Sequence, residues 1–119
     1  MGRRSRRRAQ QGDQPPPATT DYSDEQGNVL TLRDELSAGT VRALRELDAK
    51  PAASAKDRWQ RRVEFLFERL AVRWVISELP LEGQKELLGR YRLASSGERQ
   101  QVRATLARHL AEHHPDIEV

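Results

Sequence analysis

Between Lys56 and Glu78 the chain reads KDRWQRRVEFLFERLAVRWVISE, and no other stretch narrows the choice of fold as much. Trp59, Val63, Leu66 or Phe67, Leu70 and Trp74 recur at three- and four-residue spacing, the period that gathers side chains on one face of an α-helix. Phe65, Val72 and Ile76 widen that stripe beyond what a surface helix needs. The spacing predicts one helix over residues 56–78, the hydrophobic centre of the molecule. Two roles are open to Trp59, Val63, Phe67, Leu70 and Trp74. Covered by other helices, they are core. Left open, they are a protein interface, because Trp and Phe are enriched in such patches.

The flanking sequence supplies partners for that helix. Thr40 can cap a helix over about 40–49, with Val41, Leu44 and Leu47 on one face, ended by Pro51. Leu79-Pro80 is expected to stop the long helix, and Pro80 to open another over about 81–92, with Leu81, Leu87, Leu88 and Tyr91 inward. Ser95-x-x-Glu98 matches a capping box at the start of a last helix, 96–113, striped by Val102, Leu106 and Leu110. Ahead of all four, DYSDEQGNVLTL reads as a hairpin within residues 21–33. Asp24 to Gly27 suit a type I turn followed by a left-handed glycine, and Val29, Leu30 and Leu32 favour a strand. The expected fold class is mainly α: a small bundle of about four helices with a short N-terminal β-hairpin.

Residues 1–20 stand apart from this pattern. MGRRSRRRAQ holds Arg3, Arg4, Arg6, Arg7 and Arg8, and residues 10–28 hold three consecutive prolines and almost nothing apolar. Proline tracts favour extended polyproline geometry and nucleate no core. Residues 1–20 therefore read as a disordered basic leader and 21–119 as a single small helical domain. The whole chain carries 21 basic and 18 acidic side chains, but residues 13–119 carry 16 basic against 18 acidic. The excess positive charge belongs to the leader, whereas a dedicated nucleic-acid-binding fold carries it on the folded surface. In the body such a patch would have to come from local clustering, for instance of Arg58, Arg61 and Arg62.

The absence of cysteine excludes disulfides, thiolate catalysis and cysteine-ligated zinc, and fits a reducing, cytoplasmic setting. No apolar run reaches the length of a membrane span, and none follows the arginines as an export signal requires. The one metal-like cluster is HLAEHHPD, where His109 and His113 share a helix face. It lacks the HExxH order and an obvious third ligand upstream, and histidines in a last turn suit the open carbonyls of a helix end. A calcium-loop match beginning at Asp24 fails at Val29, where glycine is needed. No metal or other cofactor is expected.

No catalytic residue stands out either. Ser95 and Ser96 suit a helix cap, Glu64 and Glu68 have Arg61 and Arg69 close by, and glycines 83, 89 and 97 form no phosphate-cradling loop. The last two helices and their LASSG turn have the outline of a helix-turn-helix. Gln100, Gln101 and Arg103 would then face bases, but Glu98 would stand near the phosphate backbone.

Two functions are in view. The first is a non-catalytic protein-binding or assembly module that packs its Trp/Phe helix on a protein partner or a second copy. The alternative is a nucleic-acid-associated accessory protein that holds phosphates, weakly and without sequence preference, through Arg3, Arg4, Arg6, Arg7 and Arg8. The mildly acidic body favours the first.

Overall fold

The computed structural model describes residues 18–118. Strands β1 (Thr19–Ser23) and β2 (Val29–Arg33) come first, followed by helices α1 (Ala38–Ala49) and α2 (Ala55–Leu70). Strands β3 (Ala71–Ile76) and β4 (Leu79–Glu82) follow, and helices α3 (Gln84–Leu93) and α4 (Ser96–His113) close the chain. The four strands form one antiparallel sheet in the order β1-β2-β3-β4. The fold is therefore α+β, which corrects the expectation of a mainly-α bundle.

The correction turns on the predicted helix 56–78. Its first part is helical and buries Val63, Leu66, Phe67 and Leu70, but helix gives way to strand at Ala71 with no loop between them. Three of the six residues of β3 are β-branched, Val72, Val75 and Ile76, and such side chains pack well on a pleated surface. β2 supplies the partner strand, with Leu30 opposite Trp74 and Val29 opposite Val75. Pairing of long-range strands thus overrides a helical period that happens to continue through Trp74.

The chain then reverses in two residues. Ile76 pairs with Leu79, and Ser77 and Glu78 between them both adopt positive φ, 51° and 68°, as a type I′ turn requires. The Ser77 amide donates to Asn28 Oδ1 at 3.0 Å, so the first hairpin's turn props the second. Pro80 lies within edge strand β4, where its missing N–H leaves no central ladder bond unmade. The next helix consequently starts at Gln84 instead of near Leu81.

The first hairpin is closed by its own turn. Asp24 Oδ1 accepts from the amides of Gln26 and Asn28 at 2.8 and 2.9 Å, and Gly27 takes φ 81°. Thr19 and Thr20, within the stretch expected to be leader, are the first residues of β1. Serines cap three of the helices: Ser37 caps α1 in place of Thr40, Ser54 caps α2, and Ser95 with Glu98 forms a capping box on α4. Such caps are typically worth about 1 kcal/mol each.

One core joins helices and sheet. Leu30, Leu32 and Trp74 of the sheet pack with Leu44, Phe67, Leu87, Leu106 and Leu110 of the helices. Phe67 is fully buried at its centre, edge-on to Trp74 (5.8 Å between centroids) and stacked on Tyr91 (5.0 Å). Among the described residues, no helix is long and apolar enough to cross a membrane.

Candidate binding cleft

The structure divides the aromatic stripe. Val63, Phe67, Leu70 and Trp74 are buried in the core, and only Trp59, in the second turn of α2, remains accessible, at 37% exposure. Arg3, Arg4, Arg6, Arg7 and Arg8 lie outside the described residues. Of the arginines suggested as a local patch, Arg61 and Arg62 are engaged within the fold. Arg61 donates to the carbonyls of Leu47, Lys50 and Pro51 and so closes the end of α1, while Arg62 pairs with Asp48 and donates to the Glu118 carbonyl.

Trp59 stands at a cleft of about 250 Å³ where α2, α3 and α4 meet. Lys56 and Glu64 enter it from α2, Arg92 from α3, and Arg99 and Arg103 from α4. Arg99 and Arg103 are four residues apart on one helix and so share a face. The Arg103 guanidinium carbon lies 5.0 Å from the Trp59 ring centroid, a cation–π arrangement that pins a long side chain. Glu64 accepts from Arg92 at 2.6 and 2.8 Å, which neutralises that pair. Among the described residues, Lys56, Arg99 and Arg103 have no ion-pair partner. The cleft is therefore cationic, and its aromatic wall is half-exposed.

This position of Arg103 bears on the helix-turn-helix outline. Arg103 is turned onto Trp59, and Glu98 is occupied by the Ser95 amide and by Arg90 at 2.9 Å. Those two contacts hold the Glu98 carboxyl below its ordinary pKa, the Ser95 amide having the larger effect. The helix start is thus used for internal capping.

The histidine cluster acquires a third member that the sequence did not suggest. Asp34, just after β2, brings a carboxylate oxygen within 4.8 Å of ligand atoms on His109 and His113. No local motif links residues so far apart. Whether the trio suits a metal depends on His109, which is fully buried. Its Nε2 lies 2.7 Å from the Arg33 carbonyl oxygen and its Nδ1 lies 2.7 Å from the Tyr22 hydroxyl. Both nitrogens are engaged, so a metal would have to break one of these bonds. Asp34 also accepts from the Thr20 hydroxyl. This donor set fits a buried hydrogen-bonded joint better than a metal centre. Instead of the open carbonyls of their own helix end, His109 Nε2 meets the Arg33 carbonyl and His114 Nε2 lies beside the Asp34 carbonyl and the Leu36 amide, both just after β2.

Another hollow, about 380 Å³, lies between α1 and the C-terminal segment, where Arg62 and Asp48 neutralise each other. No protein family, curated protein or solved structure matches this chain.

Proposed function

We propose that the protein is a non-catalytic protein-binding module and that the cleft at Trp59 is its recognition surface. The observation that carries this reading is the grouping of an accessible Trp with three cations that have no ion-pair partner among the described residues, between three helices. Trp and Arg are over-represented among the residues that dominate interface energies, and they do so best inside concave, well-supported sites. The buried part of the aromatic stripe then acts as the scaffold, and the cytoplasmic setting suggested by a cysteine-free composition belongs to the same proposal.

A photo-reactive residue at Gln60, which lines the cleft, tests this in cells, with the exposed Arg42 position on α1 as control. The expected result is a discrete protein adduct from position 60, absent from position 42 and lost in R99E/R103E. A covalent dimer of the chain would identify the partner as a second copy, and light scattering should then show concentration-dependent mass. Equal labelling from both positions would sink the proposal.

A second reading is favoured by the five arginines, without any acid, in residues 1–12. They supply weak, sequence-indifferent contact with polyanions. Five phosphate contacts on duplex DNA set an upper limit of about −4.5 for the slope of log affinity against log salt. Replacing all five by serine in the full chain should remove that binding; retention of it would refute the assignment.

A further inference from the structure

We propose that the Trp59 cleft receives a short carboxylate-rich segment of the partner protein, with Arg99 and Arg103 gripping its carboxylates and Lys56 closing from the facing wall. This rests on the binding-module reading and adds the chemistry of the occupant.

Charge complementarity is the first argument. Among the described residues the three cations lack acidic partners, so each is available to a ligand. Arg99 and Arg103 are half-buried, and the other half-buried arginines, Arg61, Arg62 and Arg90, are spent on partners within the fold.

Preorganisation is the second. The cation–π contact holds the Arg103 guanidinium beside the Trp59 ring, and no hydrogen bond to the described residues competes with a carboxylate for its fork of N–H donors. Pinning Arg103 in advance reduces the side-chain entropy lost when a carboxylate binds. Gln60 and Ser96 line the same hollow and offer uncharged hydrogen-bonding groups to an extended segment.

The cleft also suits an acidic peptide better than a nucleic acid. Single-stranded nucleic acid relies on aromatic faces for base stacking, and Arg103 already lies over the Trp59 ring. Residues 18–118 carry 16 basic against 17 acidic side chains. Such a body has no overall excess of positive charge to draw in a long phosphate backbone. A cleft of about 250 Å³ accommodates a few side chains, which matches a short acidic segment.

The test uses the whole chain with Arg3, Arg4, Arg6, Arg7 and Arg8 replaced by serine, so that those arginines contribute nothing. Two-dimensional NMR follows the indole N–H of Trp59, assigned with W59F, during titration with acetylated tetraglutamate, tetraglutamine and hexathymidylate. Tetraglutamate should give saturable shifts at Trp59, Arg99 and Arg103, and tetraglutamine none. R99Q/R103Q should weaken binding at least ten-fold. R103K, which keeps the charge but loses the planar fork of donors, should weaken it several-fold. Urea unfolding of each variant identifies any that has simply lost its fold.

Hexathymidylate binding in the cleft more tightly than tetraglutamate would overturn the proposal in favour of nucleic acid. Binding of neither probe would also overturn it. In that case a persisting Gln60 adduct would show that the module reading stands with a partner of other chemistry, and loss of the adduct would remove both.

Discussion

The Tyr22 hydroxyl lies 2.7 Å from Nδ1 of His109, tying the first strand of the sheet to the last helix across 87 residues of chain. The same ring reaches the Arg33 carbonyl oxygen through Nε2. A carbonyl only accepts, so Nε2 carries the proton, and Nδ1 accepts from the hydroxyl. Removing one partner from such a buried pair leaves the other without a hydrogen bond, at a cost of about 1–3 kcal/mol. Tyr22→Phe should therefore lower unfolding free energy by about that amount, and His109→Leu should lower it further. Urea denaturation reads both, and an unchanged midpoint in His109→Leu would contradict the joint.

Burial holds the His109 imidazole below its ordinary pKa, the Arg33 carbonyl and Asp34 opposing the shift and His113 and His114 adding to it. Its folded pKa thus lies below the unfolded value of about 6.5. Between the two values the unfolded chain binds more protons, so stability rises with pH there. The contribution is complete above about pH 6.5 and is lost as pH falls from there through the folded value. Urea midpoints taken from pH 8 down to pH 5 should fall, and His109→Gln should flatten that part of the curve. A midpoint that rises towards pH 5 would exclude this role.

Phe67 and Trp74 share the core, whereas Trp59 does not. Phe67→Ala and Trp74→Ala should each cost about 3–5 kcal/mol, the usual range for emptying a large aromatic site. Trp59→Ala loses chiefly its contact with Arg103, worth about 0.5–1 kcal/mol at an exposed position. Equal losses at all three positions, measured by urea or thermal unfolding, would contradict this division.

Ser77 and Glu78 occupy a turn that favours Asn-Gly, because both hold positive φ. S77N/E78G keeps the backbone amide that donates to Asn28 and relieves the strain of two left-handed residues. It should stabilise the protein by about 0.5–2 kcal/mol, the range typical of such optimised turns. A loss of stability on urea unfolding would argue against the turn geometry.

The same turn explains why half of the sheet was hard to read. Ser-Glu is a weak hairpin signal, and without it Leu70 and Trp74 extend the four-residue spacing of a helix through what is really β3. Pro80 compounds the error, since a proline can begin a helix or sit in an edge strand, and only the neighbouring strand decides between them. Features that act within one turn are easier to see: the Asp24–Gly27 turn and the Ser95–Glu98 capping box depend on residues three apart. The cleft combines Lys56 and Trp59 with Arg99 and Arg103, some 40 residues onward, so no local pattern points to it. Asp34 joins His109 and His113 across a still longer gap. Tertiary placement, not residue type, makes both constellations.

The two tryptophans are divided between core and surface: Trp74 is enclosed between sheet and helices, and Trp59 is left at the mouth of a cationic cleft. Fluorescence quenching of the two single-tryptophan proteins, W74F and W59F, measures this division directly. With iodide as the quencher, the remaining Trp59 of W74F should be quenched several-fold more strongly than the remaining Trp74 of W59F, because iodide is both excluded from the core and drawn to Lys56, Arg99 and Arg103. Equal quenching, or stronger quenching of Trp74, would contradict the division and the binding surface drawn from it.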